Sequence, residues 1–206
     1  MIIIGYSGHS YVACGILLAC GRPVTAYCDL EEKRINPYNL TFLGSENADE
    51  GHEAIMASDF FIGVGDNNIR KKVFERLKGF ERFPINAIHP SAIIDPATGL
   101  AKHGIMICAG AIINPLSKIG NAAVCNTGSI IEHECTVGDF AHIGPGAVLC
   151  GNVSVGEGSF IGAAAVIRQG VRVGAFATVG AGAVVLSDVA DGEVVIGNPS
   201  RAMSRK

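Results

Sequence analysis

One short segment of this sequence combines a histidine with carboxylates. Glu132 and Glu134 flank His133 within a stretch that is otherwise apolar and rich in glycine. Free imidazole titrates near pH ~6.5, and a neighbouring carboxylate raises the basicity of an imidazole, so such a pair suits general-base catalysis. His133 and Glu134 are therefore the candidate catalytic residues. A pair of solvated surface residues would give the same local sequence, and that interpretation stays open.

A metal site is the second chemistry that the same region allows. Cys135 follows the pair and His142 lies nine residues after His133, so these three side chains are the candidate ligands of a zinc ion bound between subunits, as in an enzyme of carbonic-anhydrase type. Their spacing matches none of the close-set zinc patterns, and no third histidine lies nearby. We therefore expect no metal. Three further histidines are expected at surfaces or in loops: His52, His89 and His103.

The elements that must position these side chains follow from a six-residue repeat. Between Ile107 and Val185, thirteen of the fourteen residues at intervals of six are aliphatic, and glycine follows at seven of these steps. The residue two places earlier is usually small. This period suits one flat face of a prism and predicts a β-solenoid, in which three faces make an 18-residue coil. Each coil buries its aliphatic row only against its neighbours, so several coils are needed for stability. Four residues should then stack above one another: Ile119, Val137, Val155 and Val173.

The first half of the chain has the pattern of a small α/β domain. Apolar runs at 2–4, 24–28 and 60–64 predict buried strands, and the stretches 11–20 and 69–78 predict helices. Alternation of strands and helices predicts a parallel sheet, which binds ligands at the carboxyl ends of its strands. A nucleotide, with its phosphates near a helix N-terminus, is the expected ligand.

The turn after the first strand is incomplete as a dinucleotide fingerprint. It reads Gly5-Tyr-Ser-Gly8-His9, and Ser10 stands in the place of the third glycine. A plain tight turn is therefore the alternative interpretation. The convergence of this turn with Asp29 and Gly65, each at another strand end, favours the ligand site.

Composition restricts the remaining possibilities. The chain has 206 residues, of which 49% are hydrophobic and 17% charged, and this balance excludes a disordered protein. A net charge of −3 argues against a nucleic-acid or anionic membrane surface. Seven cysteines without a pairing pattern indicate a reducing compartment. No signal peptide or apolar run of ~18 residues is recognisable, so we expect a cytoplasmic protein.

Motifs along nearly the whole chain resemble those of bacterial nucleotide-sugar acetyltransferases, of the sialic-acid O-acetyltransferase and bacillosamine N-acetyltransferase type. The six-residue repeat alone indicates only the wider hexapeptide-transferase superfamily. The motifs that carry the resemblance are Gly5–His9, Gly65–Arg70, Ile88–Ala92, Asn126-Thr127, Ile131–Cys135, Phe140–His142, Pro145–Ala147 and Gly197–Arg201.

The resemblance implies a chain of two domains. Residues 1–85 would form a Rossmann-like nucleotide-sugar-binding domain, and residues 86–206 a left-handed parallel β-helix that carries the acetyltransferase activity. It also implies a homotrimer with active sites between subunits, with acetyl-coenzyme A as co-substrate in the groove between adjacent solenoids. The acceptor would be a nucleotide-sugar.

Individual roles follow from the same resemblance. His133 matches the family's general base, and Glu134 matches the carboxylate that raises its basicity. The positions that match contacts to acetyl-coenzyme A are His142, Ala163 and Ala181. The positions that match contacts to the nucleotide-sugar are Ser7, Gly8, His9, Asp29, Leu30 and Gly65.

The expected reaction is direct N-acetylation, for bacterial glycan biosynthesis, of a 4-amino-dideoxy sugar linked to a nucleotide, with UDP favoured. Cys135 is expected to be a small inward residue and not a nucleophile, because it occupies the small position of the repeat. Three alternatives stay open. They are O-acetylation of sialic acid, a zinc-dependent solenoid enzyme, and a non-catalytic scaffold that binds nucleotide-sugars.

Overall fold

The computed structural model describes residues 1–203, which begin with a parallel sheet flanked by helices. The elements are β1 (Ile2–Ile4), α1 (Gly8–Ala19), β2 (Ala26–Cys28), β3 (Thr41–Phe42), α2 (Asp49–Ala57), β4 (Phe60–Ile62) and α3 (Asn67–Lys78). The strand order is β3-β2-β1-β4, and all pairings are parallel. This arrangement confirms the predicted Rossmann-like domain. Within residues 1–203, none of the helices is long and apolar enough to cross a membrane.

Strand β1 is buried on both faces, as a central parallel strand must be. Ile3 packs with Phe61 and the apolar side of α1, whereas Ile2 packs on the opposite face with Phe60 and residues of α3. The sequence predicted β1, β2, β4, α1 and α3 to within a few residues. It did not predict β3, which has only two residues, or α2, which is largely polar and buries only Gly51 and Ile55.

From Ala87 onward the chain winds through short strands of two or three residues. They are β5 (Ala87–Ile88), β6 (Ile93–Ile94), β7 (Gly99–Leu100), β8 (Met106–Ile107), β9 (Ile112–Ile113), β10 (Lys118–Ile119), β11 (Val124–Cys125), β12 (Ile130–Ile131), β13 (Thr136–Val137), β14 (His142–Ile143), β15 (Val148–Leu149), β16 (Ser154–Val155), β17 (Phe160–Ile161), β18 (Val166–Ile167), β19 (Arg172–Val173), β20 (Thr178–Val179), β21 (Val184–Val185), β22 (Val194–Ile196) and β23 (Arg201–Ala202).

These strands form three sheets, each receiving one strand per coil. The first sheet contains β5, β8, β11, β14, β17, β20, β22 and β23. The second contains β6, β9, β12, β15, β18 and β21, and the third contains β7, β10, β13, β16 and β19. Every pairing is parallel except that of β22 with β23. From Ala87 onward the chain therefore forms a left-handed parallel β-helix, as predicted.

The predicted register is observed. Ile119 pairs with Val137, Val137 with Val155, and Val155 with Val173, so the four residues stack at intervals of 18. All four are at least 98% buried, and they belong to one continuous core that runs through the interior of the three-sided solenoid, a triangular prism. The repeat therefore positions each residue above its counterpart one coil earlier.

The first coil lies outside that register by one residue. Ile88 pairs with Ile107, and Leu100 pairs with Ile119, a separation of 19 residues in both cases. The extra residue lies in the corner between β7 and β8, where Gly104 has a φ of +72°. A strict count in steps of six therefore does not identify the strands of this coil, although they join the same three sheets as the later strands.

Arg70 joins the N-terminal domain to the solenoid. Its side chain is 99% buried, and its guanidinium donates to Val64 O, Gly65 O and Asn67 Oδ1 on its own side. Across the junction it donates to Ala122 O at 2.9 Å and Phe140 O at 2.8 Å. Burial lowers the pKa of this guanidinium to about 10, so it stays charged at neutral pH.

We predict that Arg70→Met strongly destabilises the protein. The change leaves buried carbonyl groups on both sides of the junction without donors, which costs roughly 2–5 kcal/mol of unfolding free energy. Urea denaturation measures this loss. The matched control is Arg22→Met, which removes an exposed ion pair with Asp59 and should cost less than about 1 kcal/mol. Equal losses for the two variants would contradict the role assigned to Arg70.

Candidate functional site

A cavity of about 560 Å³ opens at the carboxyl ends of β1 and β4. Five of the six residues predicted to contact a nucleotide-sugar line it, namely Ser7, His9, Asp29, Leu30 and Gly65. The sixth, Gly8, lies exposed in the first turn of α1 and is not part of the lining. The fold therefore brings the predicted group together at one sheet edge. The roles of these residues stay predictions.

The turn after β1 allows α1 to pack closely on the sheet although Ser10 stands in the place of the third glycine. Gly5 has a φ of +79°, and a Cβ there would lie 2.7 Å from Val64 Cγ2. Ser10 is fully buried, and its Oγ accepts a hydrogen bond from the Ser7 N–H at 2.6 Å. A Cβ on Gly63 would lie 2.5 Å from the Ser10 Cβ. The close approach of α1 to the sheet thus depends on a glycine beyond β4 instead of one in the helix.

Asp29 shapes the cavity wall through its own hydrogen bonds. Its carboxylate accepts from the Tyr6 N–H at 2.8 Å and from the Leu30 N–H at 2.7 Å, and it pairs with Lys33 at 3.0 Å. Leu30, in contrast, is 85% exposed at the rim. Asp29 therefore ties the turn after β1 to the end of β2.

Sequence reasoning missed other residues of the lining. Asp66 caps α3, where its carboxylate accepts from the Ile69 N–H at 2.9 Å, and a capping motif could have identified it. Glu46 also lines the cavity, and its carboxylate pairs with Arg76 at 2.9 Å. No local pattern marked Glu46, because it comes from the irregular segment between β3 and α2.

His142 lies in β14, on the face of the first solenoid sheet that contacts the N-terminal domain. Its ring centroid is 5.7 Å from that of His9 and 5.1 Å from that of Phe160. Asn126 Oδ1 accepts from the Thr127 N–H, and this contact turns the Asn126 amide nitrogen towards His142 Nε2 at 3.1 Å. Nε2 is then an acceptor, so the neutral ring has its hydrogen on Nδ1. That atom is buried and has no partner among residues 1–203.

Both histidines at the junction are neutral at physiological pH. Burial, and next the charge of Arg70, lower the pKa of His142 to about 3. The same two causes, in the same order, lower the pKa of His9 to about 4. Each ring therefore presents one donor and one acceptor, and His9 also has a buried nitrogen, Nε2, without a partner in the described part of the chain.

His133 and Glu134 lie at a corner of the solenoid between β12 and β13. His133 Nδ1 is 3.1 Å from Glu134 Oε2, and about half of each side chain is exposed. Glu134 has a φ of +62°, as do its counterparts in neighbouring coils to within a few degrees. This corner joins the second and third sheets, whereas His142 and the cavity lie at the first. A single chain therefore keeps the histidine–carboxylate pair apart from the cavity.

The three candidate zinc ligands point in different directions. His133 is exposed at the corner, Cys135 is fully buried inside the prism with its Sγ towards Cys150 O, and His142 faces the N-terminal domain. Over residues 1–203, no group of three histidine, cysteine, aspartate or glutamate side chains is placed to hold a metal ion. The geometry within one chain therefore gives the zinc hypothesis no support.

Ala163 and Ala181 stack in consecutive coils at the corner between the first and second sheets, and both are exposed. The glycines one coil earlier allow this tight stacking. A Cβ on Gly144 would lie 2.9 Å from Ala163 N, and one on Gly162 would lie 2.5 Å from Ala181 N. The result is a smooth edge made of backbone and methyl groups.

Known proteins match both parts of this chain. Residues 1–77 match the PglD N-terminal domain family, and residues 152–187 match the bacterial transferase hexapeptide family of six repeats. A histidine-to-asparagine variant of perosamine N-acetyltransferase from Caulobacter crescentus, solved with coenzyme A and GDP-perosamine, is 36% identical with a TM-score of 0.92. The match covers 99% of this chain and 96% of that one. This chain belongs to the nucleotide-sugar acetyltransferase family.

Two other solved structures have the same fold as this family member. The acetyltransferase domain of PglB from Neisseria gonorrhoeae FA1090, in complex with acetyl coenzyme A, is 29% identical with a TM-score of 0.89, and 98% of each chain is covered. WeeI from Acinetobacter baumannii AYE, with 22% identity, a TM-score of 0.86 and 98% coverage of each chain, shares the fold.

We predict that His142→Asn reduces the acid sensitivity of this acetyltransferase. The pKa of His142 is near 3 in the folded chain and ~6.5 when the ring is solvated, so only the unfolded chain gains a proton as the pH falls below ~6.5. This group alone should lower the unfolding free energy by roughly 2 kcal/mol between pH 7 and pH 5. Urea titrations at both pH values measure the loss, which should be smaller in the variant. Equal losses in both proteins would show that His142 is already protonated when folded.

Proposed function

We propose that the protein transfers the acetyl group of acetyl-coenzyme A to the amino group of a 4-amino-dideoxy sugar carried on a nucleoside diphosphate. The observation that carries the proposal is that one cavity gathers five of the six predicted nucleotide-sugar residues, and that His9 in its lining lies next to His142. The 36% identity to an enzyme solved with coenzyme A and GDP-perosamine supports it. Residues 1–85 serve as the nucleotide-sugar domain and residues 86–206 as the acetyltransferase domain. The last helix ends at Lys78 and the first short strand of the solenoid begins at Ala87, which supports a boundary at this point.

Acetyl-coenzyme A fits the chemistry of the solenoid face near His142. Bound there, it supplies the acetyl group as an activated thioester. His142 has a buried Nδ1–H with no partner within residues 1–203, which suits a carbonyl acceptor of the co-substrate. Ala163 and Ala181 offer a flat edge along which a flexible pantetheine arm can run.

The cavity suits a nucleoside diphosphate through the helix that begins at its edge. The N-terminus of α1 opens into it behind Ser7, and free N–H groups with the positive end of a helix dipole favour phosphate. The likeness to an enzyme solved with GDP-perosamine shifts our preference from UDP to GDP.

His133 acts as the general base in this proposal. Its Nδ1 faces Glu134, so Nε2 is free to take a proton from the sugar's amino group. The Glu134 carboxylate holds the tautomer and stabilises the charged ring that results. Transfer is direct, because Cys135 is buried inside the prism and burial raises the pKa of its thiol to about 11.

The separation of His133 from the cavity calls for an active site between subunits. The second solenoid sheet supplies a surface for association, because its outward residues form an unbroken aliphatic row. They are Ile93, Ile112, Ile130, Val148, Val166 and Val184. The third sheet instead presents polar residues such as Lys118, Thr136 and Arg172. Ile93 is exposed and the other five are half-buried, and an apolar row of this length favours burial against another copy.

We therefore propose a homotrimer in which His133 of one subunit faces the cavity of its neighbour. The exposed pair lies at one edge of the aliphatic second sheet, so burial of that sheet brings the pair close to another copy. A cytoplasmic location is consistent with seven cysteines that are all free thiols.

We predict that purified enzyme releases coenzyme A thiol with acetyl-coenzyme A and GDP-linked 4-amino sugars, more slowly with the UDP-linked sugars, and not with sialic acid. His133→Ala should lower kcat ~10²–10⁴-fold, the usual contribution of a general base. Cys135→Ala is the matched control and should retain most of the activity.

Release with sialic acid alone would favour the O-acetyltransferase alternative. Binding of the nucleotide-sugar without any thiol release would favour the non-catalytic scaffold. Near-normal turnover by His133→Ala would remove His133 from the mechanism.

We also predict that two inactive variants complement each other. One is His133→Ala, and the other is Gly65→Trp, which fills the cavity beside His9. Random mixing of the two in a trimer pairs an intact base with an intact cavity at about one quarter of the sites. Co-expression should therefore restore roughly a quarter of the wild-type thiol release. Activity no higher than that of either variant alone would contradict shared sites.

A further inference from the structure

Gly151 lies directly against the imidazole of His133. It is buried, and a Cβ built on it would lie 2.6 Å from His133 Cε1, 2.6 Å from Nε2 and 3.3 Å from Nδ1. Non-bonded carbon atoms normally approach to ~3.5–4.0 Å, so a methyl group and the ring cannot share this space. The ring therefore occupies the volume that any other residue at 151 would fill.

The backbone gives no reason for glycine at this position. Gly151 is absent from the glycines with positive φ, so its conformation is open to other residues. The equivalent corner positions of the other coils are Pro115, His133 and Gln169, all with side chains. The left-handed conformations belong to the next position, which contains Glu134 and Asn152. The ring of His133 is thus the feature that requires a glycine here.

We propose that Gly151 is a positioning residue for the reaction: its missing side chain forms the seat on which the His133 imidazole rests. This inference depends on the proposed role of His133 as base. The seat supports the ring face from one coil above, while Glu134 holds Nδ1 at 3.1 Å from within the same corner. Together the two contacts fix the position of the imidazole, and with it the direction of Nε2. Gly151 is not among the residues that line the nucleotide cavity.

The consequence is a selective effect on turnover. A methyl group at 151 pushes a half-exposed ring outward into solvent, so the fold is kept while the contact between His133 and Glu134 is lost. Misplacement of a catalytic group by ~1 Å costs on the order of 10²-fold in rate. Gly151→Ala should therefore lower kcat ~10²-fold and leave KM for both substrates nearly unchanged.

The matched control is Gly99→Ala in the same solenoid. Its added Cβ would lie 3.7 Å from Lys118 Cγ, an ordinary contact, and its φ is not positive. This control should keep wild-type kcat. The NMR signal of His133 Hε1, the ring proton closest to the added methyl group, should shift in Gly151→Ala and stay in place in Gly99→Ala. A structural role for Gly151 would not move this signal selectively.

A double variant separates this inference from the proposed function. If Gly151 acts only through the ring, His133→Ala combined with Gly151→Ala should have the kcat of His133→Ala alone. It should also recover any melting temperature that Gly151→Ala loses, because the clashing ring is gone. If Gly151→Ala has wild-type kcat while His133→Ala is inactive, the positioning role of Gly151 is wrong and the role of His133 as general base stands. An active His133→Ala would overturn the base itself.

Discussion

The constraint on which the rest of the structure depends is the stacking of residue i on residue i + 18. Parallel pairing holds Ile119, Val137, Val155 and Val173 in one buried column. The same pairing fixes what lies above every outward residue. It puts Gly151 over the ring of His133 and Ala181 over Ala163. In a solenoid the aliphatic repeat thus fixes which side chains of successive coils lie next to each other.

The second constraint is the buried guanidinium between the two domains. Arg70 needs acceptors on both sides, and the carbonyl groups of Ala122 and Phe140 supply those of the solenoid. Its charge, added to burial, keeps the pKa values of His9 and His142 well below the usual range. One residue therefore joins the domains and also keeps two ring nitrogens neutral where substrates are expected to meet.

Much of this architecture could be predicted from the sequence, because a period of six specifies the number of faces and the stacking interval. The strand ends of the α/β domain likewise indicated where Ser7, Asp29 and Gly65 would converge, and these residues line one cavity. Features that depend on contacts distant in sequence were not predictable. Arg70 looks like any helical arginine, and the contact between Gly63 and Ser10 joins two elements with no shared pattern. The separation of His133 from the cavity of its own chain was also not predictable, because it depends on which corner of the solenoid faces the N-terminal domain.

The central claim is that His133 of one subunit serves the nucleotide-sugar held by another. A crystal structure of the protein with coenzyme A and a GDP-linked 4-amino sugar tests it most directly. We expect the sugar's amino nitrogen to lie within hydrogen-bond distance, ~3 Å, of His133 Nε2 from the neighbouring subunit. An amino group out of reach of every His133, or one that meets His133 of its own chain, would contradict the account.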